Sequence, residues 1–180
     1  MRVITGTARG RRLKEPRGMD IRPTSDQVKE AIFNIIQYDI EGRRVLDLFA
    51  GVGQLGIEAL SRGAAEAVFV DESTAAVKLI RENLAMCGFQ GKVEQAESIG
   101  YLEHCGKFDL IFVDPPYDTG LVDAALQKIQ KIDILNDGGI IVCESRREKQ
   151  MPELAEPYCK RSERHYGKVK ITIFGKRANG

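Results

Sequence analysis

The chain is short of the features that mark several classes of protein. It has four cysteines and two histidines in 180 residues. Cys87, Cys105, Cys143 and Cys159 are scattered, with no Cys-x-x-Cys and no histidine at ligand spacing, so no metal site and no disulfide framework are expected. Cys143 ends the apolar run Ile140-Ile141-Val142 and reads as core. Free thiols fit a reducing cytosol. No apolar stretch approaches membrane-spanning length, and the opening Met1-Arg2-Val3-Ile4 lacks the features of a signal peptide. The expectation is a cytoplasmic protein with no membrane contact. Internal repeats, low-complexity linkers and a convincing domain boundary are missing as well. Net charge is only +1, and a chain of this length with 43% hydrophobic residues has enough for one well-buried domain.

The charge that is present is unevenly spread. In the first 22 residues Arg2, Arg9, Arg11, Arg12, Lys14, Arg17 and Arg22 face only Glu15 and Asp20. Lys160, Arg161, Arg164, Lys168, Lys170, Lys176 and Arg177 repeat the bias near the other end. A charge run alone is usually a solvated surface; two basic ends on a neutral body also suit phosphates. Residues 1–22, with β-like pieces at Arg2–Thr5 and Arg11–Lys14, read as a small hairpin or arm, and residues 23–180 as one domain.

From residue 23 onward, the pattern is regular. Pro23-Thr24-Ser25-Asp26-Gln27 opens a helix, Thr24 and Gln27 having capping-box spacing. Val28, Ala31, Ile32, Ile35 and Ile36 then recur at helical positions. Strands are predicted at Val45–Phe49, Ala67–Asp71, Val93–Gln95, Phe108–Val113 and Ile140–Glu144. Helices are predicted between them at Gly53–Ser61, Ser73–Cys87, Ser98–Cys105 and about Leu121–Gln130. Such alternation implies an α/β, doubly wound parallel sheet. Tyr158–Arg164 and Lys168–Lys176, meeting at His165-Tyr166-Gly167, read as a closing antiparallel hairpin.

Two motifs lie where such sheets bind ligands, at the carboxyl ends of strands. The first is Asp114-Pro115-Pro116-Tyr117, directly after Phe108–Val113. Consecutive prolines stop the strand, fix φ and remove two backbone donors, leaving carbonyls free to accept. A carboxylate, a rigid row of acceptors and an aromatic ring together suit a planar NH2 group whose ring stacks on Tyr117. The second is the glycine turn from Asp47 through Phe49, Ala50, Gly51 and Gly53 to Gly56. Asp71 follows Gly51 by about 20 residues, as the dinucleotide-binding fingerprint asks. Gly-x-Gly-x-x-Gly alone is weak and leaves a nicotinamide-linked oxidoreductase in play. Asp47 argues against that, because it would repel a pyrophosphate but can meet the cationic amino-acid end of S-adenosylmethionine, directly or through water.

In these residues the chain resembles a class I S-adenosylmethionine-dependent methyltransferase. More closely, it is similar to the RsmD-type family of small-subunit (16S) ribosomal RNA guanine-N2 methyltransferases. The segments that carry the likeness are Arg2-Val3-Ile4-x-Gly6 with Arg9-Gly10-Arg11-Arg12-Leu13; Arg22-Pro23-Thr24-Ser25-Asp26 with Glu30-Ala31-Ile32-Phe33-Asn34; Asp47 to Gly56 and on through Glu58-Ala59-Leu60-Ser61-Arg62-Gly63-Ala64; Asp114 to Tyr117; and Tyr166-Gly167-Lys168. They span nearly the whole chain. Val52 and Glu97 depart from the residues usual at their positions.

The resemblance implies a Rossmann-like fold and specific roles. Asp114, Pro115 and Tyr117 would be catalytic, with Pro116 beside the substrate. Asp47, Phe49, Ala50, Gly51, Gly53, Gly56, Asp71, Glu97 and Thr24 would surround S-adenosylmethionine, Glu72 standing behind Asp71. Glu97 reads equally as an adenine ligand or as a helix N-terminal acid, and Phe49 as a residue packing the turn. Arg9, Arg11, Arg12 and Arg22 would hold ribosomal RNA, naked or in a small-subunit assembly intermediate; Arg22 and Asp26 would also close the cofactor pocket. A monomer is expected. Three alternatives stand beside this: an adenine-N6 methyltransferase of DNA or RNA, which uses the same four-residue motif; a protein-glutamine methyltransferase, which more typically begins it with Asn; and a non-catalytic RNA-binding module.

Overall fold

The computed structural model describes residues 1–18 and 24–178. In chain order the described residues form α1 (Asp26–Ile35), β1 (Arg44–Asp47), α2 (Gln54–Ser61), β2 (Glu66–Asp71), α3 (Thr74–Cys87), β3 (Lys92–Gln95), α4 (Ser98–Tyr101), β4 (Phe108–Val113), α5 (Leu121–Ile132), β5 (Leu135–Arg146), β6 (Tyr158–Tyr166) and β7 (Val169–Lys176). The strands make one seven-stranded sheet in the order β3-β2-β1-β4-β5-β7-β6. Strands β1 to β5 pair in parallel, and β7 is antiparallel to both β5 and β6. This is the doubly wound sheet with a terminal hairpin that the alternation implied. The order reverses between β1 and β4, so the crevice of the sheet opens between their carboxyl ends.

Apolar residues alternate across the sheet and bury two layers. Leu110 and Phe112 of β4 join Ile32 and Phe33 of α1, Ile57 of α2 and Ile80 of α3 on one face. Ile111 and Val113 join Ala125, Leu126 and Ile129 of α5 on the other. Each fully buried side chain of this kind contributes roughly 1.5–3 kcal/mol.

Several boundaries differ from the sequence reading. Ser25, not Thr24, caps α1 and accepts from the Val28 N–H. The face α1 buries is Val28, Lys29, Ile32 and Phe33, with Ala31 and Ile35 only half-buried. Strand β5 begins at Leu135 instead of Ile140 and takes in Gly138-Gly139, where its register against β4 shifts. The predicted short helix ending at Cys105 stops at Tyr101.

The N-terminal hairpin is an open loop closed by one bridge, Arg2 to Arg12. Its apolar residues Val3, Ala8 and Leu13 are buried in the same cluster as α1, α2 and α3. Glu58 and Ser61 of α2 supply what its backbone needs. The Glu58 carboxylate accepts the Ile4 and Thr5 N–H groups at 2.8 and 3.0 Å. Ser61 Oγ accepts from the Ala8 N–H and donates to the Thr5 carbonyl, while the Ser61 carbonyl accepts from Thr7. Further along, Asn83 of α3 accepts from the Lys14 N–H and donates to the Lys14 and Val52 carbonyls. Gly6 has φ +89°, and a Cβ there would lie 1.8 Å from the Ser61 carbonyl oxygen, so only glycine fits. No helix among the described residues is long and apolar enough to cross a membrane.

Candidate active site

Strand ends and helix starts converge on a cavity of about 650 Å³ at the carboxyl edge of β1, β2, β4 and β5. Phe49, Gly51, Asp71, Glu97, Asp114, Pro115, Pro116 and Tyr117 all line it, together with Glu72 and Glu144. Eight of the residues singled out from the sequence therefore meet in one place.

The Asp114 carboxylate follows the last residue of β4 and is half-buried. Its Oδ2 accepts from Thr24 Oγ1 at 3.0 Å, and that hydroxyl also lies 3.0 Å from Glu144 Oε2. One proton serves two carboxylates, so Thr24 donates to one at a time. Tyr117 Oη donates to Glu144 Oε1 at 2.9 Å. The Arg146 guanidinium stands 5.1 Å from the Tyr117 ring centroid, a cation–π distance. Arg146 lines a second cavity, of about 510 Å³, and Tyr117 borders both cavities. The tyrosine is thus held at its hydroxyl by Glu144 and flanked by Arg146.

Across the cavity, Asp71 ends β2 and organises the glycine turn. Its Oδ2 accepts from the Gly51 N–H and its Oδ1 from the Ser73 N–H, each at 2.9 Å. Beneath the turn, Asp47 is almost fully buried and accepts from the Gly56 N–H at 2.9 Å. Burial pushes its carboxyl up to about 7, the Gly56 hydrogen bond pulling against that and the Asp71 charge adding to it. Ala50 and Gly53 complete the turn, Ala50 donating to the Val70 carbonyl. Gly56 packs against Phe69: a Cβ there would lie 2.3 Å from the ring.

The sequence readings fare unevenly here. Asp47 lies under the turn and outside the cavity lining. Glu97 sits at the rim as the N-cap of α4, its two oxygens accepting from the Ile99 and Gly100 N–H groups. Thr24, expected to cap α1, instead touches Asp114. Arg9, Arg11 and Arg12 are exposed on the N-terminal segment and do not line the cavity. Arg22 lies outside the described residues. Glu144 was missed: in the sequence it is one acid at the end of an apolar strand, and only the sheet brings it beside Asp114. Among the described residues, no group of three or more His, Cys, Asp or Glu is placed to hold a metal ion.

A family model described as "Conserved hypothetical protein 95" matches residues 1–175. The chain belongs to that family. It is 39% identical to the putative rRNA methyltransferase YlbH of Bacillus subtilis, covering 98% of this chain and 100% of that one. It is 32% identical to ribosomal RNA small subunit methyltransferase D of Escherichia coli, covering 100% of this chain and 92% of that one. Among solved structures, the putative methyltransferase yhhF from Escherichia coli superposes with a TM-score of 0.87 at 32% identity and 99% coverage of both chains. The RsmD-type likeness read from the motifs is borne out by these matches.

Does the site fit the cofactor such relatives imply? The space above Gly51 is open, with no protein atom within 4 Å of where its Cβ would be. Acidic groups surround that space: Asp71, Glu72 and Glu97 at the rim and Asp47 below. A cationic, hydroxyl-rich adenosine compound suits that donor-poor, acceptor-rich lining; a pyrophosphate does not.

Proposed function

We propose that the protein transfers a methyl group from S-adenosylmethionine to the exocyclic N2 of a guanine in small-subunit (16S) ribosomal RNA. The observation that carries this is Asp114 at the end of β4, beside Pro115 and Tyr117, facing an acidic cavity over a glycine turn. The relatives named as ribosomal RNA methyltransferases support the choice of substrate.

S-adenosylmethionine supplies a methyl group activated by its sulfonium centre. Asp71, with Glu72 beside it, would accept from its ribose hydroxyls, Glu97 would face the adenine, and the Asp47 carboxylate would favour the cationic amino-acid end. The amino nitrogen of guanine is a poor nucleophile because its lone pair is delocalised into the ring. Asp114 and the Pro115 carbonyl accept its two N–H bonds and turn that lone pair towards the methyl. As the nitrogen–carbon bond forms and the sulfur–carbon bond breaks, positive charge grows on the nitrogen, and the fixed Asp114 carboxylate stabilises it. The proton then leaves to Asp114 or to water. Alignment of the two reactants supplies much of the remaining acceleration. Tyr117 stacks on a base drawn out of its own stack, in the same way that single-stranded RNA bases meet aromatic rings. Arg9, Arg11, Arg12 and Arg22 hold RNA phosphates from the N-terminal segment. We read the protein as a cytoplasmic monomer.

The test incubates the protein with tritiated S-adenosylmethionine and, separately, small ribosomal subunits or their assembly intermediates, naked ribosomal RNA, and duplex DNA. Label recovered as N2-methylguanosine and absent with Asp114→Ala is the expected outcome. Asp114→Ala should lower turnover at least about a hundredfold, the cost of removing one preorganised electrostatic partner. Label in DNA overturns the substrate, and no transfer with no cofactor binding overturns the reaction.

A further inference from the structure

Asp114 is not the only carboxylate at this edge. Val113 of β4 pairs with Cys143 of β5, so the next residues, Asp114 and Glu144, lie side by side. Both line the cavity, and the Thr24 hydroxyl, within hydrogen-bond distance of each, keeps them no more than two hydrogen-bond lengths apart. Glu144 is only 6% exposed. Holding an amino group for methylation asks for one carboxylate and one carbonyl. A second buried carboxylate costs desolvation, so its presence calls for a use.

Base chemistry supplies one. On guanine the reacting amino group neighbours N1–H, so the edge presents donors on two adjacent atoms. On adenine the reacting amino group neighbours a bare N1, an acceptor. Two adjacent carboxylates match the first pattern, whereas the second sets a lone pair against a charge. We propose that Glu144 accepts the N1–H of the target guanine and so makes this site select guanine over adenine. The inference rests on the guanine-N2 reading above. Tyr117 donates to one oxygen of Glu144, and the Thr24 hydroxyl, shared with Asp114, lies within donating distance of the other. A carboxylate has about four acceptor positions, so hydroxyl partners leave it able to accept a base N–H as well. The same hydroxyls fix its orientation before the base arrives.

The test uses the position at which tritium appears in the RNA. Ribosomal RNA is ligated to carry either guanine or 2-aminopurine there; 2-aminopurine keeps the amino group but has no N1–H. Wild type and Glu144→Gln are compared by kcat/KM on both, with S-adenosylmethionine binding followed by calorimetry. The guanine-to-2-aminopurine preference of wild type should fall at least about tenfold in Glu144→Gln, because the amide can donate to the bare N1. Comparing ratios cancels the intrinsic reactivity of the two bases. Glu144→Ala carries the same prediction, so whichever variant folds and binds cofactor decides it. An unchanged ratio, with both substrates slowed equally, overturns the proposal and leaves Glu144 as a support for Tyr117. Wild type that forms no N2-methylguanine at all overturns the function reading itself, and a label at adenine N6 overturns both.

Discussion

Two buried carboxylates in adjoining elements are treated in opposite ways. Glu58 of α2, fully buried, accepts from the Ile4 and Thr5 N–H groups and from Arg62 Nε at 2.9 Å, with Lys29 Nζ at 3.7 Å. Asp47, at the end of β1 on the other side of the glycine turn, has the Gly56 N–H and an acidic neighbour in Asp71. One carboxylate is surrounded by donors and cations; the other is left short of them. Glu58 ties the N-terminal segment to the domain, and Lys29, whose pKa burial lowers against the pull of Glu58, is held in place with it. Asp47 costs the protein stability, and in the proposed function it gains when the cationic cofactor sits above the turn. The contrast separates a buried charge that serves the fold from one that, in the proposed function, serves a ligand.

The comparison can be broken most severely at Glu58. Glu58→Ala leaves Lys29 buried without its carboxylate and the Ile4, Thr5 and Arg62 donors without their acceptor, and should cost about 3–5 kcal/mol. Thermal unfolding should show a fall of about 10 °C for a chain of this size. Gly6→Ala attacks the same region through sterics. Its Cβ cannot coexist with the Ser61 carbonyl, so a loss of about 3 kcal/mol in urea unfolding is expected, without loss of cofactor affinity.

Asp47 sharpens the contrast through pH. Folded, it keeps its proton up to about pH 7; unfolded, it loses it near pH 4. Between those values the folded state holds more protons, so this group makes stability fall as pH rises. The full shift corresponds to about 4 kcal/mol at 1.36 kcal/mol per unit. Asp47→Asn should flatten that slope and raise stability at pH 8 by about 2 kcal/mol, while weakening S-adenosylmethionine binding about tenfold. Equal slopes for variant and wild type in denaturant unfolding at pH 5, 6, 7 and 8 would remove the distinction. The smallest effect on stability, within about 0.5 kcal/mol, belongs to Arg9, Arg11 and Arg12 replaced together by Gln. They are exposed, so the change should appear in RNA binding, with the log–log salt slope shallower by about 2.

How much of this was legible in the chain depends on how far apart the partners lie. Strand β4 and the Asp114–Tyr117 motif are local patterns, and the observed strand runs over the residues the apolar run marked. The glycine turn and closing hairpin are local too. Thr24 and Ser25 illustrate the limit: both are capping residues, and spacing alone could not choose between them. What draws Thr24 away is Glu144, 120 residues on, and Asp114, 90 residues on. Nothing local marks Lys29 and Glu58 as buried, since each is a charged residue in its own helix; the N-terminal segment covers them, the Ile4 and Thr5 N–H groups meeting Glu58 and the Arg2 carbonyl meeting Lys29. The start of β5 was lost at Gly138-Gly139, which look like a turn but form a bulge that the neighbouring strand tolerates.

The contact between Gly56 and Phe69 carries a consequence for how such a chain can change over generations. The third glycine of the turn meets an aromatic ring of the neighbouring strand, and any side chain at 56 collides with that ring. A side chain at 56 is then acceptable only alongside a smaller residue at 69. The glycine turn and the strand behind it are therefore packed as a unit, and the turn grafted onto another sheet without Phe69's surroundings would arrive without its footing.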